Sequence, residues 1–245
     1  MKKWFGILVM GTALLFMLTN INKDKTTLET QDVIQEIVEA SYEYGILVDS
    51  FIVKKGLVKS GQSPKALFIG CADSRVIPDL IVQSKPGDLF VIRNVGNFVP
   101  PYKPDEDFHA TASGIEYAVS VLSVQDIIIC GHTHCGACKH LYEEIQDSSL
   151  IHTKKWLELG ESAKTSAILS LGINAPQEEL LRLTEKLSVI KQIENILTYP
   201  IVKERFENGE INIHGWYYDI ETGYIEYYNA DTYEFLPLQE LANEN

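Results

Sequence analysis

Two short strings carry the residue types best suited to chemistry: Cys71-Ala72-Asp73-Ser74-Arg75 and, about sixty residues later, His132-Thr133-His134-Cys135. Cys71, His132 and Cys135 together offer two thiols and one imidazole, the ligand types of a tetrahedral zinc. Three protein ligands leave a fourth position open, which is the arrangement of a catalytic zinc rather than a structural one. Asp73 lies two residues from Cys71 and two from Arg75, so one short turn can hold all three. An Asp-x-Arg pair on an ordinary surface is a weak salt bridge. Directly behind a metal-ligating Cys, the same pair can hold an acceptor beside the water that occupies the open position.

That chemistry requires both strings to reach one place. Each follows a short apolar run that reads as a buried strand, Ala66-Leu67-Phe68-Ile69-Gly70 before the first and Asp126-Ile127-Ile128-Ile129-Cys130-Gly131 before the second. In an open parallel sheet, ligands bind in the crevice outside the carboxyl ends of the strands. A third strand is expected at residues 89–93, and residues 110–122 place small and apolar side chains at helical spacing. Residues 31–53 read as one or two helices, and residues 54–65, with Gly56, Gly61 and Pro64, as loop. Residues 141–197 read as mostly helical, broken near Gly172-Ile173-Asn174-Ala175-Pro176; Pro200 starts or breaks a turn and Gly209 closes the last helix. Two strands at residues 211–218 and 223–228 then pair across a Glu221-Thr222-Gly223 turn. The pattern predicts an α/β fold: a mostly parallel central sheet with an antiparallel C-terminal edge strand, flanked by helices.

Composition sets outer limits. A chain of 245 residues suffices for one well-filled α/β domain, and its 45% hydrophobic content is ordinary for a globular protein. A net charge of -13 argues against nucleic acid, because phosphate binding needs a Lys/Arg footprint. The N-terminus stands apart. Lys2 and Lys3 precede an uncharged, mostly apolar stretch that runs to Asn22. A basic start followed by an apolar stretch is an export signal, and about 20 residues is also enough to span a bilayer. No Ala-x-Ala-like cleavage site follows. Residues 1–22 are therefore read as an export signal or a membrane anchor, residues 23–30 as a linker, and residues 31–245 as a single zinc-dependent catalytic domain. This implies a periplasmic location, with residues 4–22 either removed or retained in the inner membrane.

The four cysteines stand at 71, 130, 135 and 138, and three of them crowd together, which is poor placement for a disulfide framework. Cys130, inside an apolar strand, reads as a small hydrophobe. His134 reads as loop, or as a proton shuttle at the mouth of the site. His109, His140 and His152 show no partner pattern and are expected to be solvated, and His214, in a strand near Trp216, to be structural.

Several further strings occur in order: Gly61-Gln62-Ser63-Pro64-Lys65, Arg93-Asn94-Val95-Gly96-Asn97, Gly114-Ile115-Glu116-Tyr117-Ala118, Gln192-Ile193-Glu194-Asn195 and His214-Gly215-Trp216. With the two ligand strings they resemble the β-class carbonic anhydrases, from about residue 30 to about residue 230. The resemblance implies one zinc per chain on Cys71, His132 and Cys135. It implies reversible hydration of carbon dioxide to bicarbonate and a proton, by attack of zinc-bound hydroxide. Asp73 then has two states. Paired with Arg75 it leaves the metal open to water; released, it becomes the fourth zinc ligand. Gln62, Phe90 and Tyr117 are implied as the pocket for carbon dioxide or bicarbonate, an amide beside two apolar walls. Phe90 and Tyr117 belong in the family to the neighbouring subunit's side of the cleft, implying a homodimer or a dimer of dimers.

Two departures matter. A bacterial subgroup with a bicarbonate-controlled shut state carries a Trp three residues before the ligating Cys, where this chain has Phe68 and no indole donor. Cys138 completes a Cys-x-x-Cys with Cys135, which also reads as a thiol-disulfide redox pair. That alternative leaves Cys71, Asp73 and Arg75 unexplained. Carbon disulfide hydrolysis on the same scaffold is a further alternative.

Overall fold

A computed structural model describes residue 40, residues 56–105 and residues 107–241. The expected export segment, the linker and the helices of residues 31–53 lie outside these. None of the described helices is long and apolar enough to cross a membrane. The chain divides into two units, residues 1–60 and 61–245. Of the first, one helical turn is described, Leu57–Ser60.

The second unit is built on six strands in the order β2-β1-β3-β4-β5-β6. They span Ala66–Cys71 (β1), Leu89–Asn94 (β2), Asp126–His132 (β3), Asn212–Tyr218 (β4), Ile225–Asn229 (β5) and Glu234–Pro237 (β6). The first four run parallel, and β5 and β6 are antiparallel additions. The fold class is the one expected, but the antiparallel edge has two strands rather than one. The short Glu-Phe-Leu-Pro string of β6 carries little periodicity, and its Pro237 lacks a donor, which suits an outermost strand.

Every residue of β1 is buried, as are all of β3 but Asp126. Such unbroken burial is expected of central parallel strands covered on both faces. On one face Leu67, Ile69, Ile127 and Ile129 pack with Val189 and Ile196, which lie on the long helix α6 (Gln177–Ile196). On the other, Ala66, Phe68, Ile128 and Cys130 form a separate cluster with Trp216 and Tyr218 against it.

The remaining helices are α1 (Pro78–Val82), α2 (Ala110–Glu116), α3 (Gly136–His140), α4 (Ile151–Leu157), α5 (Glu161–Leu171), α7 (Pro200–Glu207) and α8 (Leu238–Leu241). The helix expected over residues 110–122 changes pitch partway: α2 gives way to a π-helical turn at Tyr117–Val121, where Leu122 N–H donates to the Tyr117 carbonyl at 3.0 Å. The helical run expected from Leu141 begins only at Ile151, and Gly172 ends α5 with φ 87°. Gly209, with φ 70°, closes α7, although the short α8 follows later.

Candidate metal centre

Parallel pairing of β1 with β3 brings their carboxyl ends side by side, with Gly70 opposite Cys130. Cys71 ends β1 and His132 ends β3. The chain then turns through Thr133 and His134 and enters α3, so that Cys135 returns to the same point. One ligand atom from each of Cys71, His132 and Cys135 lies within 4.8 Å of the others. All three side chains are buried. Two loops that are far apart in sequence thus meet at the strand ends, as the crevice rule requires.

The donor set fits zinc on its own chemistry. His132 Nδ1 bonds the Thr133 carbonyl at 2.8 Å, while its Nε2 is buried and has no partner among the described residues. A proton fixed on Nδ1 leaves the Nε2 lone pair free for a metal, the usual way a second contact sets the tautomer of a ligating histidine. The Cys71 sulfur accepts backbone N–H bonds from Asp73 and Gly96, each at 3.4 Å. As free thiols these groups resist ionisation. The Cys135 thiol beside it and burial push Cys71 up to about 12. Cys135 is pushed up as well, first by its contact with Cys138. A divalent cation supplies the compensating charge, so its binding must release protons.

The neighbouring groups fix the ligands. Arg93 donates from Nε to the Cys71 carbonyl at 3.0 Å and from Nη2 to the Asp73 carbonyl at 2.7 Å, which clamps the turn after β1. Cys135 N–H donates to Glu185 Oε1 at 2.9 Å, and the Tyr217 hydroxyl donates to Glu185 Oε2 at 2.6 Å. Glu185 was not singled out by its sequence context, because nothing in the helical pattern of α6 marks one buried carboxylate. Gln192 accepts from Val99 N–H and Asn195 donates to the Val99 carbonyl, both at 2.8 Å, so these two residues hold the loop after β2.

Asp73 stands beside the ligand triangle rather than in it. Arg75 donates to Oδ1 from Nε at 2.9 Å and from its backbone N–H at 3.0 Å, and to Oδ2 from Nη2 at 2.7 Å. This grip holds the carboxyl well below the usual carboxylate range. Phe90 and Tyr117 stack with ring centroids 5.9 Å apart. Phe90 pairs with Leu67 whereas Asn94 pairs with Cys71, so Phe90 lies four residues down its strand, roughly 13 Å from the ligand end at the usual strand rise. The chain therefore does not bring Phe90 to its own metal centre. Gln62 is exposed in the loop leading into β1.

Other expectations divide. Cys130 is fully buried in a cluster with Ala66, Phe68 and Ile128, and burial pushes its thiol up to about 12. All four cysteines are free of disulfides. His214 bonds Asp126 at 2.9 Å and ties β4 to β3, a structural role. His109 and His140 are not merely solvated: His109 pairs with Asp105 at 2.6 Å and His140 with Glu143 at 3.0 Å. Their partners lie three or four residues away in irregular segments beside a helix end, where the sequence shows no period that would pair them. His134 is exposed in the loop and bonds Glu221 at 3.0 Å.

A mixed α/β protein with an open Cys-His-Cys zinc centre at the ends of parallel strands is the class that this fold and site define. Comparison with known proteins gives the class its family. A family model described as "Carbonic anhydrase" matches residues 66–225. A carbonic anhydrase of Pseudomonas aeruginosa is 40% identical over 195 residues, covering 78% of this chain and 87% of the relative. One from Helicobacter pylori is 38% identical over 190 residues, covering 76% and 86%. Among solved structures, the β-carbonic anhydrase CcaA superposes with TM-score 0.76 at 34% identity, covering 84% of this chain and 92% of that one. A tetrameric β-carbonic anhydrase of Sordaria macrospora gives TM-score 0.70 at 26% identity, covering 80% and 96%. The chain belongs to the β-class carbonic anhydrase family.

Proposed function

We propose that this chain catalyses the zinc-dependent, reversible hydration of carbon dioxide to bicarbonate and a proton. The observation that carries the proposal is the buried Cys71, His132 and Cys135 triangle, whose His132 Nε2 has no partner among the described residues. Zinc, when bound, acidifies a water molecule so that a nucleophile exists near neutral pH. The chain's own residues do the rest. An ionised carboxylate has about four acceptor sites. Arg75 uses two on Asp73 Oδ1 and one on Oδ2, which leaves one on Oδ2 to accept from a water and orient it. Arg75 also keeps Asp73 ionised and, by holding both of its oxygens, would keep it from ligating a bound zinc. Released from Arg75, Asp73 would become the fourth ligand and shut the site.

An uncharged linear substrate needs an apolar wall. Since Phe90 and Tyr117 lie a strand length from their own ligands, they and Gln62 would line the centre of a second protomer. Tyr117 is 45% exposed and borders a cavity of about 480 Å³ with Tyr102, Glu116 and Tyr199. A homodimer, or a dimer of dimers, would cover that surface. The basic and apolar opening of the sequence supports export to the periplasm, with residues 4–22 as a retained or cleaved segment and residues 31–245 as the catalytic domain.

The test combines metal analysis with carbon dioxide hydration. About one zinc per chain is expected, lost from a Cys71→Ser, Cys135→Ser double variant together with activity. Stoichiometric zinc in that variant would sink the ligand assignment. A zinc-loaded parent that hydrolyses carbon disulfide but does not hydrate carbon dioxide would overturn the reaction.

A further inference from the structure

The segment between two of the ligands holds a residue with a strained backbone. His134 has φ 58°, in the left-handed region that side chains with a Cβ rarely enter. Strain of this kind persists only where the surroundings over-determine it, and at functional sites it is often part of the mechanism. Here the turn between β4 and β5 supplies the constraint. Thr133 N–H donates to the Tyr218 carbonyl at 3.0 Å, and Ile220 N–H donates to the Thr133 hydroxyl at 3.0 Å. The next residue, Glu221, accepts from the His134 ring at 3.0 Å and is itself fastened by its N–H to Asp219 Oδ1 at 2.8 Å.

What the strained backbone delivers is a carbonyl. The His134 oxygen accepts from Arg75 Nη2 at 3.2 Å, and that same nitrogen donates to Asp73 Oδ2 at 2.7 Å. The Arg75 side chain is half exposed, and its bonds to Asp73 stay within its own turn. Among the described residues, the His134 carbonyl is the one hydrogen-bond partner that ties the guanidinium to another part of the fold. An arginine stem has many rotamers to lose, so a second anchor narrows them considerably.

We propose that His134 is a positioning residue: its left-handed backbone, clamped by the β4–β5 turn, aims a carbonyl at Arg75 and so holds the guanidinium on Asp73. The proposal rests on the role given above to Asp73. It assigns the work to the backbone of position 134 rather than to its imidazole, and so differs from a proton shuttle. Any residue that accepts positive φ without cost would serve in its place.

Three variants of the full-length, zinc-loaded protein separate these roles. His134→Gly, His134→Ala and His134→Val all remove the imidazole and its bond to Glu221, but they rise in that order in the cost of positive φ. Crystal structures read the separation between Arg75 Nη2 and the carbonyl of position 134, alongside zinc content and kcat for hydration. The His134→Gly variant is expected to keep the contact, while the Ala and Val variants open it beyond about 3.5 Å. From Gly to Val, kcat should fall about tenfold at unchanged zinc, the order expected for strain at a disfavoured φ. Equal separations and equal kcat across the series would overturn the proposal and return the role to the ring. Should His134→Val fail to fold, the Gly and Ala pair still separates backbone from ring. A parent that binds zinc but hydrates no carbon dioxide would sink the carbonic anhydrase reading, and the separations would still decide whether position 134 anchors Arg75.

Discussion

His132 donates from Nδ1 to the Thr133 carbonyl and its Nε2 has no partner among the described residues, while without metal the neighbouring cysteine first, and then burial, raise the thiols of Cys71 and Cys135. Metal uptake must therefore discharge protons, and zinc affinity is expected to rise with pH. Competition with a chelator at several pH values checks this. Asp73 behaves in the opposite sense. Its folded carboxyl is held below the ordinary value of about 3.9, so its contribution to stability is fully present above that value. It is lost only as pH falls through the depressed folded value. A loss of activity between pH 8 and 6 would thus come from displacement of the pair or from the water, not from protonation of Asp73. Replacing Asp73 by Asn should leave zinc bound and lower kcat roughly 10–100-fold, the usual scale for groups that orient a metal site. An Asn variant as fast as the parent would remove Asp73 from the mechanism.

At the scale of elements, the ligands depend on how closely α6 approaches the sheet. Gly131, one residue before His132, allows that approach: a Cβ there would meet Val189 Cγ2 at 2.6 Å. Val189 is fully buried and β-branched, so it has little room to yield. Gly131→Ala is expected to cost about 1–3 kcal/mol by overpacking, read as a lower urea midpoint with unchanged slope. An unchanged midpoint would mean that α6 can shift outward freely. Phe68 makes a second prediction on β1. It is fully buried, packs edge-on against Trp216 at 6.4 Å, and has no polar atom to offer an anion. Inhibition by bicarbonate should accordingly be weak and non-cooperative in a titration of the hydration rate. Steep, cooperative inhibition would show that an indole donor at position 68 is not needed for a shut state.

For the whole molecule, the ligand residues stand on β1, β3 and the start of α3, so a zinc held by them would link distant parts of the chain. Metal that binds the folded state alone adds to stability by mass action. Removing zinc with a chelator should lower the Tm and the protection of the β1 and β3 amides together, measured by calorimetry and hydrogen exchange. An unchanged Tm would mean that metal binding is not coupled to the folding of these elements. Export is argued from Lys2, Lys3 and the uncharged stretch to Asn22. Basic residues before an apolar segment stay on the cytoplasmic side, so the rest of the chain should cross. Fractionation of the full-length protein and a version lacking residues 1–22 checks this, and a full-length protein confined to the cytoplasm would refute it.

The sequence by itself pointed to Cys71, His132 and Cys135 as a zinc-ligand set at the ends of parallel strands, because soft ligands just after buried strands are a local signal with few alternative uses, and its ordered strings carried the resemblance to the family. It also marked Cys130 as core, since an apolar strand leaves a thiol little else to do. It could not show that Glu185 backs Cys135, that His109 pairs with Asp105, or that a sixth strand extends the edge. The first depends on how elements remote in sequence pack and the other two on short irregular segments, and periodicity carries no information about either. Only the tertiary structure placed Asp73 against Arg75 with its oxygens occupied, and Phe90 a strand length from the metal. The left-handed turn at His134 belongs with them, because a positive φ on a non-glycine residue is imposed by its surroundings and leaves no mark in the sequence.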